Sequence, residues 1–322
     1  MTVLDRYLGD DRLRLVDVGA RGGIAPRWER MTSVLNVTAF EPDPDECERL
    51  NREAASLPYP IRYLPVALWR EPTDALPFHV THWPVASSVR PPNSRFLGSF
   101  AEAEKLFGVR EVLTVAATNL DEVARREDST PDCLKIDVEG AALDVLIGGK
   151  KTLENTLFLE LEAELNPLFT GEALFPEVDS HLRERGWVLQ GLRRTSWRRG
   201  PRLEASESGL GGQIVSVDAL YSNEALIGEG LSLARELKLL VILSAYLQVD
   251  AVLARLRSSR LIAERLSGEE VQELERLLAP RPGRLTRIGR RALARWDSAR
   301  RRALADRLQL GDATAWEDPH FF

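Results

Sequence analysis

The segment Cys133-Leu134-Lys135-Ile136-Asp137-Val138-Glu139-Gly140 delivers two carboxylates, Asp137 and Glu139, to the end of an apolar run. Cys133, Leu134, Ile136 and Val138 give that run the character of a buried parallel strand. Gly140 then lets the backbone turn, and Leu143, Leu146 and Ile147 form the apolar stripe of a following helix. A carboxylate at such a strand end faces the ligand crevice of an open α/β sheet. The same acids can also serve the helix N-terminus that follows them, so the elements around them must decide. Glu160, at the end of an apolar strand predicted over 156–161, and Glu162 add two further acids of the kind that hold a hydroxyl or a divalent cation, or that merely face water on a loop.

Upstream, Leu13-Arg14-Leu15-Val16-Asp17-Val18-Gly19-Ala20-Arg21-Gly22-Gly23 has the form of a first strand running into a glycine-rich turn. That is the nucleotide-binding corner of a Rossmann-like sheet. Asp17 would be unwelcome beside a pyrophosphate, but a carboxylate suits a ligand carrying an ammonium group. A second strand over 34–40 ends in Glu41-Pro42-Asp43-Pro44, and an acid there is the usual partner of ribose hydroxyls. Glu41 follows Gly19 by 22 residues, close to the spacing of about 20 expected for that role. Pro44, Asp45 and Glu46 give local reasons for a helix through Asn51.

Together the DVGARGG, FEPDP and KIDVEG segments, with DVLIGG after the last, resemble the FkbM-type S-adenosylmethionine-dependent methyltransferases over about residues 13–221. Weaker matches follow in the same order: Val66-Ala67-Leu68 closing a third strand, Ser87-Ser88, the Thr118–Val123 stretch, Phe158-Leu159-Glu160, and Leu168 through Trp187. The resemblance implies a class I methyltransferase sheet, S-adenosylmethionine as donor with S-adenosylhomocysteine as product, and transfer to a hydroxyl oxygen. It assigns Asp17, Gly19 and Gly23 to the methionine part of the donor and Glu41 to the ribose. Ala20, Arg21 and Pro42 beside them join the donor set, Ala67 and Leu68 lie near the adenine, and Ser88 becomes a donor or acceptor contact. The family commonly carries Asn where this chain has Arg21, and a second Glu where it has Ala142. Arg21 must therefore turn away from the sulfonium or pair with an acid such as Glu41. A sulfonium is already reactive, so positioning supplies most of the acceleration, and an alcohol acceptor needs a base for its proton. Asp137 is the first candidate, then Glu139, with Glu160 near them; the same three, Asp137, Glu139 and Glu160, are the candidate ligands should a divalent cation be used.

Composition bounds the remaining choices. The 322 residues are 44% hydrophobic and 29% charged, as in an ordinary globular protein. Cys47 and Cys133 are too few for a disulfide framework, and His79, His82, His181 and His320 show no zinc spacing. The longest apolar segment, 237–247, is short and interrupted by Lys238, and no signal-peptide order opens the chain, so a cytoplasmic location is expected.

A stretch of roughly 50 residues before the Asp137 strand exceeds what a minimal doubly wound sheet needs. It reads as a strand over 76–83, a helix over 95–107 and a strand over 111–117. His79, His82 and Trp83 read as an acceptor platform or as plain strand faces. A strand over 213–220 is expected to pair antiparallel at the sheet edge. The expected division is a methyltransferase domain over 1–222 and a helical extension over 223–322. Helices are predicted over 231–247, from Gly268 to about Leu278, and over 285–308. Residues 281–307 hold ten arginines against Asp297 and Asp306. That basic segment invites an anionic membrane surface or nucleic acid, or it covers acidic surface of its own chain or of a second copy in a dimer. A small-molecule or glycan acceptor is the expected partner. Nucleic acid is disfavoured, because the 1–222 region lacks an aromatic motif after the Asp137 strand. The other reading is a methyltransferase-like module that acts in assembly or binding through its helical tail.

Overall fold

A computed structural model describes residues 2–100, 102–127, 130–197, 199, 205–206 and 212–279. The predicted 285–308 helix and its arginines lie outside the described residues.

Eleven strands are described: β1 (Leu13–Val18), β2 (Leu35–Phe40), β3 (Ile61–Leu64), β4 (Ala67–Leu68), β5 (Thr73–Thr81), β6 (Val109–Thr118), β7 (Cys133–Ile136), β8 (Phe158–Glu164), β9 (Trp187–Trp197), β10 (Ala205–Ser206) and β11 (Gln213–Asn223). Eight form one sheet in the order β10-β9-β11-β8-β7-β1-β2-β3. From β3 to β8 the strands are parallel, and β11 runs antiparallel to both β8 and β9. This is the class I methyltransferase sheet, whose order reverses between β1 and β7 and opens its ligand crevice there. A second sheet, β4-β6-β5, is built from the inserted stretch.

Three local expectations change. Val66-Ala67-Leu68 does not close the third strand, because Pro65 has no N–H to continue the ladder; Ala67 and Leu68 instead pair with β6 in the second sheet. The predicted helix over 95–107 is two short helices, Ser94–Leu97 and Ala103–Leu106, separated near Gly98. The strand expected at the sheet edge is internal, since β9 pairs along its other side.

Register explains how the large sheet grades from core to site. Leu15, Cys133 and Phe158 lie side by side on one face of β1, β7 and β8 and are fully buried or nearly so. Two residues on, the same face carries Asp17, Lys135 and Glu160, and two further on Asp137 stands beside Glu162 and Asp218. Apolar side chains thus give way to charge toward the carboxyl ends of the strands.

The helix Leu233–Ala245 covers the apolar part of that face. Its Leu237, Leu240, Val241 and Ile242 are fully buried in the same core as Leu13, Leu15, Leu35 and Val37. The 3-10 helix Pro26–Val34 and the helices Val3–Leu8 and Gly268–Leu278 share it. Lys238, equally buried, reaches Asp11 at 2.7 Å and Asp132 at 3.1 Å. Glu236 is paired with Arg255 of the next helix at 2.8 Å. The other face packs the helices Ala142–Gly148 and Phe175–Arg183 through Val145, Leu146, Val178 and Leu182. Among the described residues no helix is long and apolar enough to cross a membrane.

Because the 233–278 helices share the sheet's core, Leu240→Ala is expected to lower global stability by about 2–5 kcal/mol in a single urea transition. A separate early transition that leaves the main midpoint unmoved would show that these helices fold on their own.

Candidate active site

The first turn is dictated by a close approach. Gly19 follows β1 at φ +83°, and a Cβ built there would stand 1.7 Å from the carbonyl oxygen of Asp137, so only glycine lets the two strand ends meet. The amides of Gly19 and Ala20 both donate to the Phe40 carbonyl at 3.0 Å, tying the turn to the end of β2. Gly140, at φ +84°, faces the side chains of Phe169 and Glu172 in a similar way.

Around this junction lies a cavity of about 230 Å³. Of the residues read from the sequence, Gly19, Arg21, Glu41, Pro42, Ala67, Leu68, Ser88, Asp137 and Glu139 line it. Asp17, Ala20, Gly23 and Glu160 do not. Phe78, Val85 and Val89 complete an apolar wall from the inserted stretch; nothing in their spacing marks them out in the sequence. A larger hollow of about 810 Å³ lies where Arg14 opens β1 and Asp132 precedes β7, away from these carboxylates. Its acids are engaged by protein groups: Asp132 by Lys238, and Asp121 by the amides of Lys151 and Thr152.

At the ribose end, Glu41 is 2% exposed, and its Oε1 accepts from the Asp43 amide at 2.9 Å. Arg21 Nε stands 3.9 Å from its Oε2, while Arg21 Nη2 meets Asp43 Oδ2 at 2.5 Å. The guanidinium expected to disturb a sulfonium is thus turned onto two acids. Burial raises the Glu41 carboxyl to about 7 in spite of the Asp43 amide and Arg21.

Asp17 departs from its expected role. It is 1% exposed, stands outside the cavity wall, and pairs with Lys135 Nζ at 3.3 Å. The same ammonium meets Asp137 Oδ2 at 3.2 Å. Burial and nearby acids push the Asp17 carboxyl upward against the pull of Lys135. Asp137 keeps 37% of its side-chain surface open.

Glu160 is corrected as well. β8 continues to Glu164 rather than ending near 161, which leaves Glu160 in mid-strand opposite Lys135 and makes Glu162 the neighbour of Asp137. Glu160 accepts from Arg27 Nη1 at 2.8 Å and from the Tyr246 hydroxyl at 2.9 Å. It therefore belongs to the packing of the 233–245 helix. The trio whose oxygens approach within 4.8 Å of one another is Asp137, Glu139 and Glu162. Burial, then the charge of Asp137, raises Glu139 and Glu162 well above the ordinary carboxylate range. Like charges this close do not all ionise without a compensating cation.

Ser88 lines the cavity, but its hydroxyl is committed elsewhere: Oγ donates to the Glu139 carbonyl at 2.5 Å and accepts from the Arg90 amide at 2.9 Å. Glu139 itself is held at φ +51°, an uncommon backbone state for a residue with a side chain. Asp144, read in the sequence only as part of a helix, is buried between Arg70 and Arg90 and fastens the inserted stretch to the helix that follows the trio.

Residues 17–189 match the methyltransferase FkbM domain, more than half of the 322-residue chain. The chain belongs to the FkbM methyltransferase family. Membership makes it an S-adenosylmethionine-dependent methyltransferase, and the cavity suits that donor, with an acid at the end of β2, an apolar wall beside Ala67 and Leu68, and bare backbone at Gly19. Among solved structures, it is similar to a SAM-dependent methyltransferase from Agrobacterium tumefaciens at 13% identity and TM-score 0.34, covering 68% of this chain and 60% of that one. It is also similar to the 23S rRNA methyltransferase ErmE at 11% identity and TM-score 0.33, over 85% and 96% of the two chains. The M1A22 tRNA methyltransferase TrmK of B. subtilis has 12% identity and TM-score 0.30, over 86% and 94%. No curated protein matches the chain.

Removing the Glu160 carboxylate leaves the buried Tyr246 hydroxyl and the half-buried Arg27 without their shared partner. Glu160→Ala is thus expected to cost about 3 kcal/mol of stability, while the affinity for S-adenosylhomocysteine changes by less than about two-fold. A tenfold loss of affinity in folded protein would return Glu160 to the donor site.

Proposed function

We propose that this methyltransferase moves the methyl group of S-adenosylmethionine to a hydroxyl oxygen of a small molecule or glycan, with Asp137 as the base that takes the hydroxyl proton. The observation that carries this reading is the position of Asp137: a partly open carboxylate on the wall of the cavity that Glu41 and Gly19 also line. The donor supplies an activated methyl group when bound. The protein has to hold the acceptor oxygen in line, keep bulk water away and receive one proton, and a carboxylate beside an apolar wall serves the last two needs. Lys135 holds Asp137 from the strand below it, fixing the carboxylate's direction.

Glu139 and Glu162 complete the proposed acceptor side. Three carboxylates converging within 4.8 Å offer the hard oxygen donors that a divalent cation takes, and such a cation would relieve their mutual repulsion. In that arrangement Glu162 takes the place first given to Glu160. A bound cation would also lower the barrier to losing the hydroxyl proton by stabilising the alkoxide.

Calorimetric titration with S-adenosylhomocysteine is expected to show micromolar binding that Glu41→Ala weakens at least tenfold, about 1.4 kcal/mol. Absence of binding to the wild-type protein would refute the donor site. Once a panel of hydroxylated small molecules and glycans yields an acceptor by transfer of labelled methyl, Asp137→Asn is expected to lower kcat by about 100-fold or more with donor affinity retained. Full turnover in that variant would remove Asp137 as the base. For the cation, Mn²⁺ titration followed by electron paramagnetic resonance is expected to show one site that Glu162→Gln weakens; an unchanged spectrum on adding protein would exclude it.

A further inference from the structure

We propose that Arg21 is a positioning residue of the donor site: anchored by Asp43, it faces Glu41 across the ribose end of the cavity and favours the ionised form of that buried acid, so that donor affinity follows pH through this pair. The inference rests on the donor-site reading given above and adds to it the charged neighbour of Glu41.

The geometry sets Arg21 apart from an ordinary surface arginine. Its side chain is only 19% exposed and belongs to the loop after β1, whereas both of its acids belong to the segment after β2. One nitrogen is fixed on Asp43 at 2.5 Å, and a second nitrogen of the same planar group is left facing Glu41 at 3.9 Å. The next residue repeats the bridge, since the Gly22 amide donates to Glu46 Oε1 at 3.1 Å. Glu46 is held in turn by Arg49 at 2.7 Å. Arg21 is therefore pinned from the far side and presents its charge to Glu41 without closing on it.

Glu41 needs that charge. Its carboxyl is buried, and its surroundings divide by sign. From the loop after β1 it faces Arg21. From the segment after β2 it faces the Asp43 amide, which favours the ionised form, and the Asp43 and Glu46 carboxylates, which oppose it. Cys47 lies close enough for its own thiol to be pushed upward by Glu41 as well as by burial. Arg21 is the cation on the balance sheet of Glu41, and with it present the carboxyl still titrates near 7. A ribose hydroxyl donates a stronger hydrogen bond to a carboxylate than to a carboxylic acid, because the ionised acceptor carries the full charge. Donor binding then favours the ionised form, and below the midpoint binding releases up to one proton to solvent. Affinity falls as pH drops through neutrality, and removing Arg21 moves the midpoint upward because the charged form of Glu41 loses its partner.

The test is calorimetric titration of S-adenosylhomocysteine from about pH 5.5 to about pH 9, in two buffers of different ionisation heat to count protons. Wild-type protein, Arg21→Gln, Asp43→Asn and Glu41→Gln are compared, so that titration of the ligand itself cancels between variants. The wild type is expected to lose affinity by up to tenfold per pH unit below a midpoint close to neutrality. Arg21→Gln is expected to shift that midpoint upward by about one unit and to approach wild-type affinity at the alkaline end. Asp43→Asn, which frees Arg21 from its anchor, should give a smaller displacement. Glu41→Gln should bind weakly with a flat profile. An Arg21→Gln curve that keeps the wild-type midpoint, whether at full height or uniformly lowered, would overturn the proposal, because a lost packing contact weakens binding equally at every pH. Binding by the wild type that does not vary with pH would overturn it too. Failure of the wild type to bind at any pH would instead remove the donor site itself.

Discussion

The site depends on one buried ammonium. Lys135 stands between Asp17 and Asp137, the acids at the ends of two adjacent parallel strands, and touches both. It offsets the like charges that β1 and β7 bring to one face, where Asp17 is desolvated and Asp137 partly open. Strand alternation leaves little choice about where such a cation can sit. Lys135, two before Asp137 and in register with Asp17, shares that face at the right level. Removing Lys135 would leave Asp17 as an unpaired buried charge, whereas Asp137 keeps 37% of its side-chain surface open and loses less. Lys135 thus joins the ends of β1 and β7, and Asp17 stands as its counter-charge within the sheet.

Buried charged contacts recur where the helical segment meets the sheet. Lys238 bridges Asp11 and Asp132 at the opening end of the strands, and Glu160 gathers Arg27 and Tyr246 nearer the site. Apolar burial by Leu237 and Leu240–Ile242 supplies most of the stabilisation, but a greasy helix can slide or rotate on a greasy sheet. Buried ion pairs penalise every misplacement that strands a charge. Tyr246 is fixed further by edge contact with Trp28 at 5.9 Å and by Arg27 over its ring at 4.8 Å. The Pro26–Val34 helix that follows the glycine-rich turn is therefore keyed to the C-terminal helices through one side-chain cluster.

What could be read from the sequence follows the reach of each signal. Gly19, Glu41, Asp137 and Glu139 were legible because apolar runs ending in acids and glycine are local patterns, and the sheet brings those ends together whatever the loops do. Glu160 was misplaced because the alternation of Leu161-Glu162-Ala163-Glu164 reads equally as a strand's end or its continuation; pairing with Ser216 through Asp218 on β11 extends the strand. β9 was not foreseen, since Arg193, Arg194 and Gly191 hide its strand pattern, and only pairing with β11 explains it. The pairing of Arg21 with Glu41 was open to charge reasoning, whereas its anchor on Asp43 required the turn geometry. Asp144 carried no signal, because its two arginines come from residues 70 and 90 in the inserted stretch.

That inserted stretch does more than roof the cavity. Its Ser88 hydroxyl holds the carbonyl of Glu139, whose left-handed backbone costs about 1 kcal/mol or more relative to an ordinary conformation. Ser88 is in turn held by a two-way backbone bridge to His79, at 2.7 and 3.2 Å. Gly140, which admits no Cβ beside Phe169, completes the turn from the other side. The direction of the Glu139 carboxylate is consequently set by residues more than fifty positions upstream. Any change in the β4-β6-β5 sheet that moves residue 88 moves a carboxylate of the proposed acceptor site with it. The cavity wall and the acid geometry are in this way joined mechanically, which is a physical reason for the insertion to be tied down by a buried aspartate between two arginines rather than left as a free lid.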